Sequence, residues 1–269
     1  AIPGLNAFVL YFALPCMLFR FGMNTPILEL LNPALLGVYL LCALLMVFAT
    51  IAFTLSDRVH LKDAAFGALV AAFPNTGFMG VPLLVALIGP GAAGPMICTI
   101  LADLFVTTSL CLALAQLHEA SGLGTRAALV RALRAALGNP MPWAIGLGAL
   151  FSVLDLKLAG PPEVVVRMLA DAASPVALFT IGAVLSRAGR HAHTRTPLSL
   201  YLPVALMKLL LHPLLVFLVA GAAVTLGSPL TGMQVMLITL TAALPSASNV
   251  AMLAERYGAD NGRIARIIM

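Results

Sequence analysis

Phe73-Pro74-Asn75-Thr76-Gly77 lies in the middle of an otherwise apolar run at residues 64–88, and Leu244-Pro245-Ser246-Ala247-Ser248 lies in the middle of another at residues 231–256. Each is a proline followed by small polar residues. A proline inside a helix removes a backbone donor and clashes with the preceding turn, so each motif predicts an interruption. In hydrocarbon the freed backbone groups are costly unless protein or a water-filled cavity receives them. Two such breaks predict a site, provided that the medium around the runs is lipid.

Composition supplies that condition. Hydrophobic residues make up 61% of the 269 and charged residues 9%, and the mean hydropathy is +1.05. One soluble core of this size cannot hide so much apolar surface. A span needs roughly 20 apolar residues, and such runs recur at residues 5–21, 33–56, 64–88, 95–117, 142–156, 162–186, 198–225 and 231–256. They lack the alternation of barrel strands and are much longer than such strands. The fold class expected is an all-α polytopic membrane protein with about eight complete spans. Cys16, Cys42, Cys98 and Cys111 fall inside these runs without metal or redox spacing and read as small core residues.

Basic residues orient the chain. Arg58 and Lys62, then Arg126, Arg131 and Arg134, then Arg187, Arg190 and Arg195, then Arg256, Arg263 and Arg266 all fall on one side. The alternate loops are uncharged, as at residues 89–95 and 226–229, or mix signs through Asp155, Lys157 and Glu163. By the positive-inside rule the basic loops are cytoplasmic. The formal charge of +5 is thus a topology signal, and its division among short loops argues against a nucleic-acid partner.

The chain also repeats itself. Residues 13–22 and 173–182 share Ala, Pro, Leu, Phe and Gly at five of ten positions at an offset of 160, and the two proline motifs match at an offset of 171. One helix separates the paired motifs in each half, and the halves run in opposite directions through the membrane. This predicts inverted repeats, the first at residues 1–117 and the second at 141–269, joined by a cytoplasmic loop at 118–140. A full helix precedes Pro175 but not Pro15, and only a short segment from Arg263 onward answers the span at 95–117. The expectation is a parent of ten helices, two sets of five, with both termini on the outer side and its first and last helices missing from this chain.

Where the breaks meet, Asn75 or Thr76 is expected to cap a new half-helix, with Gly77 and Gly80 permitting close approach, while Ser246, Ser248 and Asn249 add polar groups from the second half. Two half-helix N-termini, each with partial positive charge and unpaired N–H groups, suit an anion.

The residues from Phe73-Pro74-Asn75-Thr76-Gly77 through Gly80-Val81-Pro82-Leu83-Leu84, the stretch from Ala243-Leu244-Pro245 through Asn249 to Glu255-Arg256-Tyr257-Gly258-Ala259-Asp260, and Asn139-Pro140 before a helix resemble the auxin efflux carrier family over nearly the whole chain. The family includes plant auxin exporters and bacterial carriers of malonate or malate. The resemblance implies crossed broken helices as in the bile acid sodium symporters, a scaffold and a transport domain interleaved across both repeats, elevator-like movement and often a homodimer. It places Pro74, Asn75, Pro245 and Ser246 at the crossing, with Asn249 close by. The short central loop is similar to that of bacterial members, which implies a bacterial inner membrane. Plant members carry an acid and a lysine in the helix before the first break; the span at 33–55 has no charged residue, so their proton-coupling scheme does not transfer.

Intramembrane ionisable residues are the remaining candidates. Asp103, with Thr107 and Thr108 one turn on, is a candidate for binding a coupling H+ or Na+, the structural alternative being a polar contact between helices. Lys208, four residues before His212, is a candidate to neutralise a substrate carboxylate, to pair with Asp103, or to snorkel or brace the scaffold. Arg20 and Asp171 read as interfacial anchors. His60, His118, His191 and His193 fall in loops, so neither a metal site nor a cofactor is expected. No constellation for an intramembrane protease or a haem enzyme is present, and no soluble output domain speaks for a receptor. The function expected is transport of a small organic anion, not catalysis; a sodium/proton antiporter using Asp103 is the alternative.

Overall fold

The computed structural model describes residues 2–24, 32–119, 140–190 and 196–269. The basic loop expected at 118–140 lies almost wholly outside the described residues, as do His191, His193 and Arg195. Among the described residues there is no strand, only helices and two isolated bridges.

Helix α1 runs from Ile2–Phe8 through a π turn at Val9–Ala13 into Leu14–Asn24. Then follow α2 (Pro33–Thr54), α3 (Leu61–Ala72) and α4, a π turn at Thr76–Gly80 leading into Val81–Ile88. Helix α5 joins Ala93–Ala102, a π turn at Asp103–Thr107 and Thr108–Glu119. Helices α6 (Pro140–Val153) and α7 (Pro161–Arg190) come next. Helix α8 joins Leu198–Leu206, a π turn at Met207–Leu211 and His212–Thr225. The chain continues with α9 (Gly232–Ala243), α10 (Asn249–Arg256) and α11 (Asn261–Ile268).

Local chemistry sets several of these ends. Asn32 accepts a hydrogen bond from the Leu35 amide and Pro33 opens α2, a favourable start on both counts. Thr231 and Gln234 form a capping box at α9. Helices α3 and α9 stop just before Pro74 and Pro245. Some expected boundaries need correcting. The run expected at 142–156 ends as a helix at Val153, because Asp155 takes a positive φ of 49°. The run expected at 162–186 is one helix to Arg190 that passes through Pro175.

Helix α1 packs against α6 and α7. Its approach to α6 rests on glycine: a Cβ on Gly148 would collide with the Phe19 carbonyl oxygen, and one on Gly22 would lie 2.7 Å from the Ile145 carbonyl oxygen. Small residues that let backbones meet are the usual device for joining helices in lipid. Phe19 meets Phe151 edge to face, and Arg20 is ion-paired with Asp171 of α7 at 3.0 Å.

The other helices pack mainly on one another: α2 on α3, α5 and α8, α3 on α5, α8 on α9, and α11 on α3, α8 and α10. Helix α3 is buried at every position from Ala64 to Ala72. Outward, Phe53, Leu87, Trp143, Met168, Phe179 and Leu210 are exposed, a surface suited to lipid. Pro33–Thr54, Gly94–Gln116 and Leu198–Thr225 are long and apolar enough to cross a membrane.

Candidate functional site

Between α3 and α4, and again between α9 and α10, the backbone leaves helical geometry. The two segments pair with each other, Pro74 opposite Ser246 in an antiparallel bridge. The Asn75 amide donates to the Pro245 carbonyl at 2.8 Å, and the Ala247 amide donates to the Phe73 carbonyl at 2.8 Å. Backbone groups freed at one proline are thus satisfied by the segment around the other, which answers the cost of irregular backbone away from water. Helices α4 and α10 both start beside this bridge, so their partially positive N-terminal ends are brought together.

The polar side chains here are nearly all buried. Asn75, Thr76, Ser246, Ser248 and Asn249 are each under a tenth exposed, while of the motif residues Pro245 is exposed and Gly77 half-buried. The expected side-chain capping is absent: Asn75 occupies the N-cap position of α4 and Ser248 that of α10, and neither makes a capping hydrogen bond. The backbone takes over at Asn75, whose carbonyl accepts from both the Met79 and Gly80 amides. Thr76 Oγ1, Ser248 Oγ and Asn249 Oδ1 are left buried without a partner. Gly77 has space in front of it, an added Cβ meeting only Met17 Cε of α1, at 3.8 Å. Hydroxyl and amide groups thus lie beside two helix N-termini, the kind of donor set that suits negative charge.

A second polar cluster lies between α2, α5, α8 and α9, within an apolar shell that includes Leu35, Cys42, Cys98, Val216, Ile238 and Ala242. Asp103 and His212 are 0% exposed and Lys208 is 2%. Asp103 Oδ2 accepts from the Tyr39 hydroxyl at 2.9 Å and Oδ1 accepts from the Thr107 hydroxyl at 3.1 Å, while Thr108 turns back to the Asp103 carbonyl. Lys208 Nζ donates to the Ala242 carbonyl at 2.7 Å and lies 3.2 Å from His212 Nδ1. Both Asp103 and Lys208 sit in π turns, local irregularities that are frequent at functional sites. Sequence reading did not single out Tyr39; its signal was a lone phenol in a span otherwise almost wholly apolar.

The whole chain, residues 1–269, matches the family described as membrane transport protein. It is 29% identical to "Putative malonate transporter" of Rhizobium meliloti strain 1021, an alignment covering 100% of this chain and 82% of that protein. It is 27% identical to "Uncharacterized transporter YfdV" of Escherichia coli strain K12, over 74% of this chain and 60% of that protein. The apolar helices and this full-length match together mark a multi-pass membrane protein, and the chain belongs to the membrane transport protein family, that of the auxin efflux carriers.

Proposed function

We propose that the protein is a secondary active transporter of a small organic anion, in the mono- or dicarboxylate class of malonate, malate and auxin-like acids. The observation that carries this reading is the antiparallel pairing at Pro74 and Ser246, flanked by the partnerless Thr76 Oγ1, Ser248 Oγ and Asn249 Oδ1. Buried polar groups are normally satisfied, and a carboxylate bound between the starts of α4 and α10 satisfies the hydroxyls. In this reading Pro74, Asn75, Thr76, Gly77, Pro245, Ser246, Ser248 and Asn249 line the site, where the broken helices of two inverted repeats cross. The malonate named for the Rhizobium relative supports the substrate class.

In this reading the protein works by alternating access, which the packing of α1, α6 and α7 apart from the other helices supports. Helices α1, α6 and α7 serve as the scaffold, and α2–α5 with α8–α11 form the transport domain. The substrate lies at the boundary, where Gly77 faces Met17 of α1. Coupling to H+ or Na+ runs through Asp103 and Lys208, and the basic loops face the cytoplasm of a bacterial inner membrane. The working unit is a homodimer without a cofactor.

The test is uptake of radiolabelled malonate, malate and indole acetate into proteoliposomes under imposed proton or sodium gradients. Saturable flux, abolished by Asn75→Ala in folded protein, is the expected result. Movement of Na+ or H+ dependent on Asp103, with no anion flux, replaces this reading with an antiporter.

A further inference from the structure

Helix α9 ends at Ala243, so the Ala242 carbonyl has lost its usual helical partner, the amide four residues on. That residue, Ser246, already belongs to the segment paired with Pro74. Lys208 supplies the donor instead, its Nζ lying 2.7 Å from the Ala242 oxygen in a buried contact. The C-terminal end of a helix is partially negative, and a hydrogen bond from a charged donor is roughly twice as strong as a neutral one. The ammonium is therefore well matched to the carbonyl it caps.

The same ammonium reaches into the second cluster. With Lys208 donating, His212 Nδ1 accepts and the ring proton sits on Nε2, which is buried without a partner. Across the cluster stand Asp103, Cys98 and Cys111 of α5 and Tyr39 and Cys42 of α2; α9 carries no titratable side chain, and α3 carries Lys62 and Asp63 only in its first turn.

We propose that Lys208 is a positioning residue that ties the second interruption to the Asp103 cluster: its ammonium caps the end of α9 and so holds residues 244–248 in register with Phe73–Asn75. Lys208 is thereby assigned to the protein's own backbone and not to a substrate carboxylate. Part of the proposal rests on the reading of the paired segments as the substrate site, and the test separates the two.

In protein whose Cys16, Cys42, Cys98 and Cys111 are replaced by alanine, Ser246→Cys gives a thiol at the pairing, and its alkylation rate in proteoliposomes reports how tightly the segment is held without any substrate. Loss of a charged hydrogen bond at the carbonyl is expected to raise that rate about tenfold in Lys208→Gln, and Lys208→Arg, which keeps a charged donor, is expected to return it to within about twofold of the parent. Equal rates in parent, Lys208→Gln and Lys208→Arg overturn the proposal, as do equally fast rates in both variants. Malonate uptake is measured alongside with the native cysteines and Ser246 in place. In malonate exchange without an imposed ion gradient, where coupling through Lys208 is not read, an increased KM for Lys208→Gln that Lys208→Arg returns toward the parent agrees with positioning. Responsive alkylation with no flux of any anion leaves the Lys208 cap standing and removes the transport reading. Unchanged alkylation with normal uptake removes the cap, takes Lys208 out of the coupling path and leaves the anion reading standing.

Discussion

Leu244 lies so close over Gly80 that a methyl group added to the glycine would come within 2.5 Å of Leu244 Cδ1 and 3.0 Å of Met96 Cε. Leu244 belongs to the segment before Pro245, so the start of α4 and the second interruption share one contact across the pairing. Gly80→Ala forces Leu244 to rotate away. Both obstructing atoms end flexible side chains, which puts the cost at the low end of overpacking, about 1 kcal/mol. Transport is expected to suffer more than stability, seen as a several-fold fall in uptake with an unfolding temperature in detergent within a few degrees of wild type.

Gly148 meets backbone instead. A Cβ there would collide with the Phe19 carbonyl oxygen and lie 2.9 Å from the Met23 amide, whereas Gly146, on the same helix, has nothing within 4 Å. Gly148→Ala must push α1 and α6 apart, and about 2–3 kcal/mol of destabilisation is expected. Gly146→Ala is the control, close to neutral. Equal unfolding temperatures for the two variants would sink this account of helix contact.

Thr76 tests the meaning of an unspent hydroxyl. Its Oγ1 is buried and partnerless, and an unsatisfied buried polar group costs about 1–3 kcal/mol. Thr76→Val removes that cost at nearly constant volume, so the substrate-free protein is expected to hold its stability or gain up to about 1 kcal/mol. Binding is expected to move the other way, with KM for malonate rising about tenfold as one hydrogen bond is lost. A variant that loses stability with unchanged KM would show the hydroxyl to be structural.

Much of this was legible in the sequence, for identifiable reasons. Hydropathy marks each lipid-facing run, and a proline followed by polar residues marks each place where helix geometry fails. Asn75, Ser246 and Asn249, which lie at or beside the paired segments, are therefore singled out by the sequence itself. Less legible was what satisfies the freed groups. Capping by Asn75 or Thr76 is a local rule, but here the partners of the Asn75 amide and the Phe73 carbonyl lie in the segment around Pro245, a contact far away in sequence. Tyr39 escaped notice because its role depends on Asp103, 64 residues on. The basic run containing Arg263 read as a topology signal, yet that residue is 1% exposed.

Tyr39 and Thr107 both donate to the buried Asp103 carboxylate. Hydrogen bonds to a charged group contribute about 1.5–3 kcal/mol, so Tyr39→Phe is expected to destabilise the protein by that order. In an Asp103→Leu background the same change is expected to cost less than about 0.5 kcal/mol, because the acceptor is gone. A double-mutant cycle read by unfolding in detergent checks this, and strictly additive effects would deny that the phenol acts through Asp103.

Arg263 is where packing and hydrogen bonding are hardest to separate. Its Nε donates to the Leu200 carbonyl and its Nη1 to the Asp63 carbonyl, both at 2.8 Å, joining the first turns of α8 and α3 to α11. Asp260 caps α11 by accepting from the Arg263 amide, and its own amide donates to Asp63 Oδ1. The guanidinium lies against Gly67, where an added Cβ would be 2.9 Å from Nη1. Arg263→Met keeps much of the apolar stem but loses both charge-assisted bonds, an expected loss of about 2–4 kcal/mol. Arg263→Lys keeps the charge but lacks the fork that reaches two carbonyls at once, so about half the loss is expected to remain. Gly67→Ala retains the arginine but shifts its guanidinium, with a smaller loss. If packing alone were responsible, Arg263→Met would match Arg263→Lys. An order in unfolding temperature of wild type, Gly67→Ala, Arg263→Lys and then Arg263→Met assigns the stability to the two carbonyl bonds.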